Sequence, residues 1–101
     1  MTEILEADLE YDKTQRRQYN DNGARLAVMI RQAIGRLLAE ERQRCGLSME
    51  EVAKMAHLRL WKVHKAETGY GAINWSFIAA LLNFYGKRFV IELADLSELP
   101  D

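Results

Sequence analysis

Leu26, Met29, Ile30, Ala33, Ile34, Leu37 and Leu38 recur at three- and four-residue intervals, with Arg25, Arg31, Arg36, Arg42 and Arg44 on other faces. That period predicts an amphipathic helix over residues 24–44, closed by Cys45-Gly46. Upstream the pattern is thin. Ile4, Leu5, Leu9 and Tyr11 are the only sizeable apolar groups before Tyr19, and Asn20-Asp21-Asn22-Gly23 predicts a break. Residues 1–23 therefore read as a polar appendage that orders on contact with something else.

Downstream, Ser48 followed three residues later by Glu51 forms a capping box, and Leu47 and Val52 stand where a hydrophobic staple clamps the chain. Val52, Met55 and Ala56 predict the buried stripe of a short helix. A second short helix is expected to start near Leu58 or Arg59 and to end at Gly69, with Leu58, Val63 and Ala66 inward. Arg59, Lys62 and Lys65 are left to solvent, with Leu60 and Trp61 beside them. After the loop Tyr70-Gly71-Ala72-Ile73, Asn74 caps a helix over 75–85 that supplies Phe77, Ile78, Leu81, Leu82 and Phe84. Trp75 and Phe77 read as core. Gly86 stops that helix.

The period then changes. In residues 87–96, Phe89, Ile91 and Leu93 fall on one side, as in a strand. A lone strand needs a partner for its backbone groups, and a second copy across a two-fold axis supplies one. Pairing with the N-terminal segment of the same chain is the alternative.

Composition narrows the class. The 101 residues suit one domain with 49% apolar residues. No apolar run is long enough for a membrane span, and no basic-then-apolar leader opens the chain, so a cytoplasmic protein is expected. One cysteine, Cys45, fits a reducing compartment. His57 and His64 lie seven apart without an acidic partner between them, so no metal and no cofactor is expected. Without a phosphate loop, a nucleophile beside a base or paired carboxylates at a cleft, an enzyme is not expected either. Charge is informative only when divided. Residues 1–12 hold five acids and residues 92–101 hold four, neither with Lys or Arg. Residues 13–91 hold all fourteen Lys and Arg against six acids, a balance of +8. A basic body with acidic ends suits phosphate binding.

Residues 47–69 resemble the Xre/Cro-type helix-turn-helix family in Leu47-Ser48, Ala53, Val63 and Glu67-Thr68-Gly69. The likeness extends over residues 24–86. It implies an all-α, lambda-repressor-like five-helix domain, here followed by the short strand within residues 87–101. Three features depart from the family: Met49 replaces a polar phosphate contact, His57 replaces the turn glycine, and Leu60 and Trp61 replace polar base readers. The tail, Gly-Lys-Arg then a short strand, is similar to antitoxins of the HigA and HipB kind, which implies a cognate toxin as a further partner.

The expected function is sequence-specific binding of double-stranded DNA by a homodimeric regulator, a repressor or antitoxin, with its helices on half-sites about 34–36 Å apart. Lys62 and Lys65 would hold phosphates, and Arg59, Leu60, Trp61 and Lys65 would face bases. Ser48, Met49 and His64 complete the expected DNA surface, and Phe89, Ile91 and Leu93 the dimer contact. The competing expectation keeps the fold but gives Met49, Leu60 and Trp61 to a protein partner.

Overall fold

The computed structural model describes residues 13–95, with side chains from residue 20 onward. Four helices follow in order: α1, Lys13–Arg44; α2, Met49–Ala56; α3, Leu60–Thr68; and α4, Trp75–Tyr85. The fifth helix and the C-terminal strand of the expected architecture are not present among the described residues. Residues 87–95 form no regular element within the single chain. Phe89 instead turns onto the body, and Ile91 and Leu93 stand exposed. A strand has no ladder without a second edge to bond to, so alternation alone does not make one.

The core gathers Leu38 from α1, Val52 and Ala53 from α2, Val63 from α3, and Phe77, Ile78 and Leu81 from α4. Val52, Val63 and Leu81 are the largest side chains shut fully away from water, each stabilising the fold by about 1.5–3 kcal/mol. Ile34, Leu47, Met49, Leu58, Ala66 and Ile73 close over them. Ala53, small and buried, lies on the core side of α2.

Ends are well defined. Ser48 Oγ accepts from the Glu51 N–H at 3.1 Å, and Glu51 Oε1 accepts from the Ser48 N–H at 3.0 Å, which completes the predicted capping box. Those bonds hold the Glu51 carboxyl below the usual carboxylate range. Asn74 caps α4 through Oδ1, which accepts from the Phe77 N–H at 3.1 Å. His57 closes α2 in the left-handed region, φ 57° and ψ 44°, and the Leu58 N–H reaches back to the Ala53 carbonyl at 2.8 Å. This places the usual glycine geometry on a side chain with a Cβ.

Three sequence expectations change. The helix predicted from residue 24 starts by Lys13 and runs straight through Asn20–Gly23. Local breaking signals cost only about 1 kcal/mol per glycine in an exposed helix, and extending an anchored helix is easier than nucleating one. The N-terminal appendage is therefore helix from 13 to 23, and residues 1–12 lie outside the described region. Met55 and Trp75, both expected inside, are exposed. On α2 the inward line is Met49, Val52, Ala53 and Ala56, and on α4 Trp75 stands more than half a turn from Phe77.

The third change concerns α1. Its body-facing line is Arg31, Ile34, Gly35, Leu38 and Arg42, whereas Leu26, Met29, Ile30 and Leu37 are exposed. Gly35 explains the choice. A Cβ built there would lie 2.3 Å from the Glu67 carbonyl oxygen, so the α1 backbone presses directly on the end of α3.

Candidate nucleic-acid interface

α3 is held at its C-terminal end and open at its N-terminal end. At the C-terminal end, Gly69 adopts φ 68° and its α-carbon faces the Arg31 and Gln32 backbone, where a Cβ would have only 3.0 Å. Beside it Arg42 grips Glu67. Nε donates to Oε2 at 2.8 Å and Nη2 to Oε1 at 3.0 Å, while Nη1 donates to the Leu47 carbonyl at 2.8 Å. The Glu67 side chain is only 3% exposed. This planar two-point pairing is the strong form of the arginine–carboxylate bond, and it raises the Arg42 pKa above its ordinary value. One guanidinium thus ties α1, the α1–α2 turn and α3 together.

Glu67 is the only acid in α3, and its charge is matched by Arg42 inside the molecule. The solvent face of α3 is left without negative charge. Arg59, Leu60, Trp61, His64 and Lys65 are exposed there, with Trp61 57% exposed. Arg59 stands at the N-cap in extended conformation, and no side chain caps the helix. Its first N–H groups and positive dipole end therefore point outward uncapped.

A cleft of 120 Å³ opens beside this face, between α1, α3 and the loop that follows α3. Arg31, Lys62 and Lys65 bring three cations to it, with Trp61 and Tyr70 at its wall. The Lys62 ammonium lies 5.7 Å from the Trp61 ring centre, within range of a cation–π attraction. Lys65 folds over Gly71, where a Cβ would come within 3.0 Å of its Cε. The buried Nε of Arg31 has no hydrogen-bond partner among the described residues.

Of the residues expected on the DNA surface, the structure brings Arg59, Leu60, Trp61, Lys62, His64 and Lys65 together on α3. Ser48 is occupied as the cap of α2. Met49 is half-buried against the core, outside the exposed apolar patch expected of it. Arg31, Arg42 and Gly35 were missed because arginines on a helix normally read as a solvated face. The available signal was Gly35 itself, a glycine inside a helix and away from any turn, with Arg31, Leu38 and Arg42 spaced on its side.

A helix-turn-helix domain family matches residues 33–88, more than half of the chain, and the matched stretch includes α2, the His57 turn and α3. The chain belongs to this helix-turn-helix family. No curated protein and no solved structure matches it. Within a helix-turn-helix domain the second helix of the motif is the one that enters the major groove, and here that helix is α3. Membership points to DNA as the partner. No helix among the described residues is long and apolar enough to cross a membrane.

Proposed function

We propose that the protein is a sequence-specific binder of double-stranded DNA that acts as a dimeric transcriptional repressor of the Xre type. The observation that carries this reading is the charge of α3. Its one acid is turned inward onto Arg42, so every charged group it shows to solvent is basic. Mechanism here means occupancy: a bound dimer blocks access to the promoter, and no covalent step is involved. Arg31, Lys62 and Lys65 around the cleft would neutralise phosphates, and Arg59, Leu60 and Trp61, at the open start of α3, would meet base edges. Leu60 suits a thymine methyl.

Binding to DNA from upstream of its own gene, against random duplex and across a salt series, tests the reading. A marked preference for its own DNA is expected. Lys65→Ala should weaken binding to both duplexes and flatten the slope of log K against log salt by about 1. Arg59→Ala should cut mainly the preference. Equal, weak binding to both duplexes by the native chain would sink the proposal.

The exposure of Leu60 and Trp61 favours a second reading, in which a protein such as a toxin or another regulator docks on this face. Aromatic residues in an exposed apolar pair are common anchors of protein interfaces. Retained partner capture by Trp61→Ala would remove that reading.

A further inference from the structure

α1 carries apolar side chains on two opposite sides, and the body covers one of them. Ile34, Gly35 and Leu38 lie on the covered side. Leu26, Ala33 and Leu37 lie close to half a turn away from Gly35, at 3.6 residues per turn. Nothing among the described residues covers that outer side, where Leu26 is 56% exposed, Ile30 44% and Leu37 53%. A helix that is apolar on both sides belongs between two partners.

The outer stripe has an internal rule. Leu26, Ile30, Ala33 and Leu37 follow at intervals of four, three and four, the spacing of the seam in a two-stranded coil. Gly23 continues that seam backwards, and a Cβ there would meet nothing. The structure gives the same stretch no support of its own. Residues 20–30 are all exposed except Ala27, and a helix of that length is marginal alone in water.

Charge decides the partner's direction. Glu40 and Arg44 continue the seam beyond Leu37. A parallel second copy would set Glu40 against Glu40 and Arg44 against Arg44, which repel. An antiparallel copy, turned about an axis midway between Ile30 and Ala33, sets Leu26 against Leu37, Ile30 against Ala33 and Glu40 against Gly23. The stripe is its own complement under that rotation. Each body stays on the far side of its own helix, clear of the contact.

We propose that the outer side of α1 is a self-association surface, on which a second copy of this chain lies antiparallel. The surface takes the role that alternation had suggested for Phe89, Ile91 and Leu93. Its use at an operator rests on the DNA-binding reading above, but the contact itself needs no DNA.

Sedimentation equilibrium of the full chain without DNA, at micromolar concentration, tests it. The native protein is expected at twice the chain mass, Ile30→Glu at one chain mass, and Ile91→Glu at twice. Because Ile30 is outside the core, Ile30→Glu should still unfold cooperatively, its midpoint lowered only by the association it has lost. Orientation is read by oxidising cysteine variants in a Cys45→Ser background. Leu26→Cys mixed with Leu37→Cys should cross-link, and Leu26→Cys alone should not. A native protein of one chain mass, a dimer that survives Ile30→Glu, or a cross-link in Leu26→Cys alone would overturn the proposal. DNA binding is scored separately. A monomer that still selects its own DNA removes this surface and leaves the DNA-binding reading standing, whereas a dimer indifferent to DNA does the reverse.

Discussion

The two ends of α3 are built to opposite specifications. At Glu67–Gly69 the helix end is fixed by backbone pressed on backbone at Gly35, a left-handed glycine against Arg31 and Gln32, and a two-point ion pair with Arg42. At Arg59–Trp61 there is no side-chain cap, no acid in the first turn, and two large apolar side chains in water. The closed end fixes where the helix points. The open end leaves groups unsatisfied that a ligand can satisfy. Stability and recognition are thus separated along about 13 Å of one helix, and substitutions at the two ends should fall into different classes.

The largest loss of stability is expected from Arg42→Ala. It leaves the Glu67 carboxylate shut from water without its cation and strips a donor from the Leu47 carbonyl. Breaking one side of a buried pair costs about 3 kcal/mol, seen as a lower urea midpoint with an unchanged slope. Gly35→Ala comes next at about 2 kcal/mol, because the added methyl meets backbone atoms that no rotamer change can move. If either variant unfolds at the native midpoint, the closed end is not what holds α3.

Much of this architecture is legible from residues alone, for identifiable reasons. Ser48, Glu51, Asn74, Gly69 and Val63 act within a turn or two of their own position, so the sequence pattern carries the starts of α2 and α4, the end of α3 and its inward line. What fails is orientation. The more apolar stripe of α1, through Leu26, Ile30 and Leu37, faces water, and a line containing a glycine and two arginines faces the body. Burial follows how closely a backbone can approach, and one glycine decided it against those three larger side chains. The Arg42–Glu67 pair joins residues 25 positions apart, beyond any local rule. The predicted strand does not form within the single chain, because the partner it needs is not local either.

Smaller effects test the turn and the floor beneath the closed end. His57→Gly should raise stability by about 1 kcal/mol, since a Cβ at positive φ carries roughly that strain. The urea midpoint reads it, and an unchanged midpoint would mean that the imidazole contributes elsewhere. Tyr85 reports on pH. Its hydroxyl is buried without a partner among the described residues, and burial first, then the charge of Glu67, pushes its pKa up to about 12. An unfolded tyrosine titrates near 10. Between those values the native state keeps a proton that the unfolded chain has lost, so stability falls as pH rises. The contribution is whole below pH 10 and gone once pH passes about 12. Tyr85→Phe should lose less stability than the native chain over that window, and parallel pH curves would refute the assignment.

The smallest stability change belongs to the open end, and it separates the two classes most sharply. Arg59→Ala and Trp61→Ala remove exposed side chains that make no hydrogen bond or ion pair among the described residues. Surface substitutions of that kind stay within about 0.5 kcal/mol of the native value. The same two variants are expected to lose at least about tenfold in affinity for the preferred DNA, on the scale of 1–3 kcal/mol that a good base contact is worth. Thermal unfolding and DNA titration of one preparation measure both quantities together. Affinity lost in proportion to stability would mean that the open end is structural after all. Affinity lost while stability holds would place recognition at the start of α3, where the fold leaves its groups unspent.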